Sequence, residues 1–345
     1  MDDLQLLREF RSESGAPAPE SLAEGRERLM RTLEAQTATT LRWRTERNRT
    51  IRRRVILGAV AAGVAVAGVV AVEALRPPQL TASAEAAAVL NEAADAAIEA
   101  SDPVLKPGQY LKVDMLMDSG GSYGQLRWSA RSVTRTYVPA DRSGTWVLKR
   151  EKQIPLSFSS PEAKAFYGEA AAGAAHDKRP GNPFTGYVVR AKAGHFFDRP
   201  TTILNGIPIE EEATVTRDPK ALLELIRQRT QGAGQSPDLE VLVTIADTLR
   251  TGVVPADLRA ALFRAAALIP SAVLSDRQAT MDGRTGTAVG VAVPGGITRE
   301  EIVVDPGTGE MIGQRYVLLK AYQGDPAGTV HNEMSMRTSV VDSAP

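Results

Sequence analysis

TGTAVGVAVPGGITREEIVVDPGTGEMIGQRYVLL, residues 285–319, is the stretch that decides the fold. Three runs of apolar and β-branched residues, Thr285–Val293, Arg299–Asp305 and Met311–Leu319, are parted by Pro294-Gly295-Gly296 and by Asp305-Pro306-Gly307-Thr308-Gly309. Pro, Gly and Asp supply the restricted or left-handed backbone that reverses a chain, and these reversals are too short to hold a crossover helix. The runs are therefore neighbouring antiparallel strands. Ala272–Ala279, before the Asp282-Gly283 turn, and Thr329–Ser339 near the C-terminus extend the same sheet.

Upstream the apolar period changes from strand-like to helical. Asp218-Pro219 offers a cap and a first helical residue before Ala221–Thr230, and Pro237–Arg250 and Pro255–Leu268 continue as two more helices. Before them, Pro161–Ala175 suits a helix, followed by an irregular Pro/Gly stretch over 179–186, a short strand at Tyr187–Lys192 and a loop through Gly206. Earlier still, Gln109–Met117, Leu126–Val138 and Thr145–Ile154 have strand composition, the last two forming a hairpin across the Pro139–Gly144 turn. Ser83–Ser101 is an Ala-rich helix with Val89, Leu90, Ala93, Ala97 and Ile98 on its apolar side. The fold expected is α+β, an antiparallel sheet with helices grouped on one side.

The N-terminal part carries a different signal. Val55–Val72, VILGAVAAGVAVAGVVAV, runs eighteen residues without a polar or charged side chain. At ~1.5 Å per residue this is ~27 Å of helix, which with Glu73–Leu75 just spans a bilayer core. The Ala and Gly content would also suit a buried soluble helix, but the flanks favour a membrane. Arg42, Arg44, Arg47, Arg49, Arg52, Arg53 and Arg54 precede the run, whereas only Arg76 follows it closely. Anionic inner-leaflet lipid and the membrane potential hold such a block inside, so the N-terminus is expected in the cytoplasm and the C-terminal part outside. A cleaved leader is the rival, with Ala82-Ser83-Ala84 as a small-x-small site and Arg53-Arg54 beside the apolar run. A 54-residue stretch ahead of the apolar core is too long for it. The organisation expected is a cytoplasmic tail over 1–54, a transmembrane helix over 55–75 and an extracytoplasmic domain over 76–345.

In the tail, Leu4, Leu7 and Phe10 fall on one helical face, and Leu22, Leu29, Met30 and Leu33 form a second stripe beyond the Gly15–Pro19 break. Two short helices bury little alone, so the stripes need each other, the lipid surface or a partner protein. Either the tail is a solvated segment that serves orientation, or Leu4, Leu7, Phe10, Leu22, Leu29 and Leu33 dock a cytoplasmic regulator. Beside a span, the arginine block is expected to contact lipid headgroups and not nucleic acid.

Composition narrows the chemistry. The chain has 345 residues, 41 basic against 41 acidic side chains, no cysteine and three histidines. Disulfides, thiolate metal sites and cysteine nucleophiles are excluded, and His176, His195 and His331 lie far apart in sequence. No cofactor or metal is expected: there is no H-E-x-x-H, Walker A or EF-hand loop, and Gly232-Ala233-Gly234 lacks the third glycine of a dinucleotide site. Gly120-Gly121-Ser122-Tyr123-Gly124 matches the G-x-S-x-G of a hydrolase elbow, and Asp305 and His331 would complete the chain order of a triad. The following segment alternates like a strand instead of opening a helix, so a Gly/Ser hairpin loop is the expectation. Glu210-Glu211-Glu212 and Glu300-Glu301 offer paired carboxylates, but neighbouring acids ordinarily solvate a surface. No catalytic residue is assigned.

Several stretches together carry a resemblance. They are D-x-L-x-x-L-R-x-F-R over Asp2–Arg11, the arginine block and span, Pro107-Gly108-Gln109-Tyr110, DPKALLELI from Asp218, PADLRAALFRAAALIP over Pro255–Pro270 and DPGTGEMIGQ from Asp305. The chain resembles actinobacterial single-pass membrane proteins, mostly of unknown function, whose genes often lie beside those for extracytoplasmic-function sigma factors. The resemblance covers nearly the whole chain, and LRAALFRAAALIP is its most specific part. It implies a non-enzymatic envelope sensor or anti-sigma-like regulator, with membrane lipid, a cytoplasmic sigma factor and an envelope ligand as partners. The zinc-binding H-x-x-x-C-x-x-C of many anti-sigma factors is absent, so sigma binding would fall to the two leucine stripes. The alternative is an anchored module that binds a lipid or other apolar ligand, with a Ser-dependent esterase as a remote third.

Overall fold

The computed structural model describes residues 83–177, 181–322 and 324–345. Its first element is α1, Ala84–Ala100, capped by the Ser83 hydroxyl, which accepts from the Ala86 N–H at 3.2 Å. A hairpin of long strands follows, β1 (Tyr110–Tyr123) and β2 (Leu126–Pro139), in unbroken register from Tyr110↔Pro139 to Tyr123↔Leu126. Only Gly124 and Gln125 connect them, with Gly124 at φ +58°, so the expected Gly/Ser loop is the tip of a two-residue hairpin.

The expected single strand Thr145–Ile154 is two: β3 (Thr145–Arg150) and β4 (Ile154–Phe158). Both pair with β2, β3 along Thr134–Tyr137 and β4 along Trp128–Arg131. The Glu151–Gln153 link lets the chain step along one edge of β2, a break that strand composition does not reveal. Helix α2, Pro161–Ala174, packs on β2 and β4, and β5, Tyr187–Lys192, pairs with β3 as the edge strand. Beyond it, β6 (Thr202–Ile203) and β7 (Ile207–Pro208) form a miniature ribbon where a plain loop was expected. Its turn carries Leu204 at φ +47°, fully buried and held by a hydrogen bond from its N–H to the Thr248 hydroxyl at 2.9 Å.

The helical section matches its sequence signals. In α3, Pro219–Arg229, the Asp218 carboxylate accepts from the Ala221 N–H at 2.8 Å; in α4, Pro237–Arg250, the Ser236 hydroxyl accepts from Leu239 at 3.1 Å. Helix α5, Ala256–Ala266, has no cap from its own Pro255. Helices α1 and α5 pack side by side through buried alanines, including Ala93, Ala97, Ala261 and Ala265, whose small side chains allow a close approach.

The C-terminal strands are β8 (Val273–Met281), β9 (Arg284–Ala292), β10 (Thr298–Asp305), β11 (Glu310–Leu318) and β12 (Val330–Val341). They form an up-and-down meander whose last strand pairs with β1, giving one ten-stranded antiparallel sheet in the order β5-β3-β2-β1-β12-β11-β10-β9-β8, with β4 on β2. The α+β class and the antiparallel sheet are therefore as expected. One continuous core joins α1, α3, α4 and α5 to one sheet face, through Phe263, Leu262, Ile302, Val304 and Met334 among others. Ala279, Met281, Ala288, Val303 and Ile312 form a smaller cluster of their own. The Asp305–Gly309 turn presses on α1: a Cβ at Gly309, already at φ +66°, would lie 2.2 Å from the Ala97 nitrogen.

Candidate functional site

A partly open cavity lies where helices and sheet part company. Helix α1 ends at Ser101, whose φ of +57° turns the chain outward into an extended strap. On that strap Asp102 reaches α5: one carboxylate oxygen accepts from the Ala256 N–H at 2.8 Å and the other pairs with Arg259 Nη1 at 3.2 Å. Asp102 thus supplies, across the fold, the cap that Pro255 cannot. Two residues on, Val104 stands 92% exposed.

Behind the strap is a cavity of about 250 Å³. Its sheet wall is Leu111 of β1, Val138 of β2, Met311 of β11 and Met336 of β12; its helix wall is Leu249 of α4, Val253, Val254 and Arg259. Methionines at two wall positions give a lining that can change shape. Gly252, at φ +69°, allows the loop after α4 to lie against the sheet, since a Cβ there would meet Val113 Cγ2 at 2.6 Å. Arg259 gives a second hydrogen bond to the Val254 carbonyl at 3.0 Å, yet its Nε is buried without a partner among the described residues. A buried, unpaired guanidinium N–H costs about 1–3 kcal/mol. On the sheet rim, Glu310 accepts from Thr338 at 3.1 Å and pairs with Arg284 at 3.4 Å.

The paired acids behave differently from the surface role expected of them. Glu300 and Glu301 sit mid-strand in β10, 2% and 0% exposed, and as successive strand residues they face opposite sides. Glu301 is held between Arg299 and Arg315, each at 2.6 Å, with Arg315 continuing to Asp276 at 3.0 Å. Glu300 faces α4 and is hydrogen-bonded by Gln314 and Tyr316. Burial pushes its carboxyl above the ordinary range against the effect of those hydrogen bonds, and the nearby Asp247 and Glu240 add to the rise. Tyr316 in turn is raised to about 12 by burial and by Glu300. Glu212 of the other acidic run pairs with Arg217, and Glu210 with His195 at 2.5 Å. Neither run forms a two-carboxylate cleft.

The serine motif is taken apart by the sheet. Ser122 lies at the distal end of β1, while Asp305 lies beside Glu310, whose carboxylate bonds Thr338, the partner of Val113. Nine residues of strand separate Val113 from Ser122, about 30 Å at the usual rise. His331 does come to the groove that Ser122 lines, but it pairs with Asp325 at 3.3 Å, and no hydrogen bond joins it to Ser122. With no elbow into a helix, the arrangement is not that of a nucleophilic serine. Among the described residues no group of His, Asp and Glu is disposed to hold a metal ion.

The arginines at 42, 44, 47, 49, 52, 53 and 54, the stripe residues Leu4, Leu7, Phe10, Leu22, Leu29 and Leu33, and the expected span over 55–75 lie outside the described residues. Among the described residues no helix is long and apolar enough to cross a membrane. The cavity was missed from sequence because its walls come from six separate elements and loops with no shared local pattern. Compared with known proteins, the chain matches no family model and no curated protein.

Proposed function

We propose that this chain is a single-pass envelope sensor whose folded domain lies outside the membrane and binds a small amphiphile, and whose tail restrains a cytoplasmic factor of the sigma type. The observation that supports ligand binding is the 250 Å³ cavity, in which Leu111, Val138, Val254 and Met336 stand beside the polar residues Arg142, Arg259 and Arg337. That volume falls below the roughly 300–1,000 Å³ of drug-sized sites, so the ligand is a single short chain and not a diacyl lipid. An acidic head suits Arg259, with the apolar body against Leu111, Val138 and Met336. What supports the regulatory half is the oriented arginine block, the two leucine stripes and the family resemblance.

The ligand half is tested by titrating the full-length chain in nanodiscs with octanoate. Saturable binding that is lost in Met336→Trp, which fills the cavity, supports the reading; binding untouched by that substitution sinks it. The regulatory half has its own test. If a tail pull-down recovers no cytoplasmic partner and deletion of residues 1–41 leaves transcription unchanged, the tail restrains nothing.

A further inference from the structure

Among the described residues β4, β5 and β8 each have one side without a neighbouring strand, and they are not equally guarded. Strand β8 shifts register twice against β9, and β4 carries Pro155 and a shift against β2. Bulges and proline spoil an edge for further pairing. Strand β5 has neither: its pairs with β3 run from Thr145↔Lys192 to Arg150↔Tyr187 without a break.

The register fixes which backbone groups of β5 point outward. The Ala193 N–H bonds the Gly144 carbonyl at 2.8 Å, one step beyond Thr145↔Lys192. Hydrogen-bonded pairs alternate along an antiparallel ladder, so Tyr187, Val189 and Ala191 turn their groups to β3, and Val188, Arg190 and Lys192 turn theirs away. The Lys192 carbonyl accepts from the His195 N–H at 3.0 Å. The N–H and C=O of Val188 and Arg190 and the N–H of Lys192 have no partner among the described residues, which makes them a template for one more strand.

Side chains make this edge selective. Val188, Arg190 and Lys192 are exposed on one face of the strand, and half-buried Tyr187, Val189 and Ala191 lie on the other. An open groove follows the edge, with 189–192 on one side and His195, Phe197 and Asp198 on the other. Phe197 and Asp198 sit at φ +58° and +60°, a strained backbone for residues with side chains. Phe197 stays 49% exposed there with its ring 6.3 Å from that of Tyr187, so it extends the apolar face. On the charged face Arg190 donates to the Pro345 carbonyl, and Lys192 has no ion pair among the described residues. Asp198 is the one acid in the groove lining among the described residues, and Glu210 is held by His195. A second copy of β5 would set arginine and lysine against arginine and lysine, which disfavours self-pairing.

We infer that β5 takes an extended peptide of a partner protein as an added antiparallel strand, one whose acidic and apolar residues alternate. Its acids lie beside Arg190 and Lys192, and its apolar side chains beside Val189, Ala191 and the Phe197 ring. The edge is separate from the amphiphile cavity and does not depend on it.

The test is calorimetric titration of the full-length chain in phosphatidylcholine nanodiscs with two peptides, acetyl-Glu-Val-Glu-Val-Glu-Val-amide and acetyl-Lys-Val-Lys-Val-Lys-Val-amide. The acidic peptide binds and the basic one does not. Lys192→Glu changes an exposed side chain and keeps the parent's melting temperature, yet weakens binding about threefold to tenfold, through one attraction lost and one repulsion gained. Backbone bonding is read without altering the protein. In an antiparallel pair the residue opposite Arg190 shares its face and exchanges both hydrogen bonds with it, so methylating the Glu nitrogens abolishes binding and methylating the Val nitrogens spares it. Failure of the acidic peptide to bind, equal binding of the basic one, binding unchanged in Lys192→Glu, or an equal effect of the two methylations overturns the inference.

Discussion

Strands β10 and β5 belong to one sheet and are built on opposite plans. In β10 five consecutive residues, Glu300–Val304, are buried, so both faces of the strand are covered. In β5 half-buried and exposed residues alternate from Tyr187 to Lys192, and one of its edges has no neighbouring strand among the described residues. The cause is what lies above each. Helix α4 packs on β9, β10 and β11, and Met281, Ala279 and Ile312 bury Val303 on its other side, whereas β5 has only short segments near it. A sheet covered on both faces opens only with the whole domain, while a strand paired on one edge opens at lower cost. Strand β10 is therefore locked into the core, and β5 is free to carry adaptable surface at the sheet edge.

The comparison breaks first in the helix layer. Phe263 of α5 is fully buried in the main core, and Phe263→Ala is expected to cost about 3–5 kcal/mol in denaturant unfolding. Next comes the turn beneath α1. Gly309→Ala combines a positive φ with backbone contact against Ala97 and Ala93, and is expected to lower stability by about 2–4 kcal/mol, a larger loss than glycine's conformational freedom alone explains.

A pH-dependent effect comes third. Glu300 has its folded-state value raised by burial, with Gln314 and Tyr316 bonding it from β11 and opposing the rise, and Asp247 and Glu240 of α4 adding repulsion. A raised carboxyl favours folding while protonated. That contribution is present in full below the unfolded-state value and is lost as pH rises through the folded one. Glu300→Gln should therefore stabilise the protein by roughly 1–2 kcal/mol at neutral pH and not at all below about pH 4. An equal effect at both pH values would refute the assignment. The smallest change is at the edge: Val188→Thr in β5, where Val188 is exposed, is expected to stay within about 0.5 kcal/mol.

Much of the covered half was legible from residue patterns. The runs around Val289, Ile302 and Ile312 are bounded by turn residues, and Asp218-Pro219 caps α3 as its chemistry suggests. The exposed half was read less well, because its strands respond to pairing and not to composition: the split between β3 and β4 is dictated by the edge of β2. Glu300 and Glu301 were misjudged for a related reason. Adjacent acids look solvated until Arg299 and Arg315 are brought to one of them and Gln314 and Tyr316 to the other, through pairings that only the sheet register provides. The cavity was illegible for the same cause, since Asp102 meets Arg259 across more than half the folded domain's sequence.

The most direct test of the central claim is native mass spectrometry of the full-length chain released from its own membrane, beside the Met336→Trp variant. One small acidic amphiphile is expected on the parent and none on the variant. The same bare mass for both, or the same adduct on both, would contradict it.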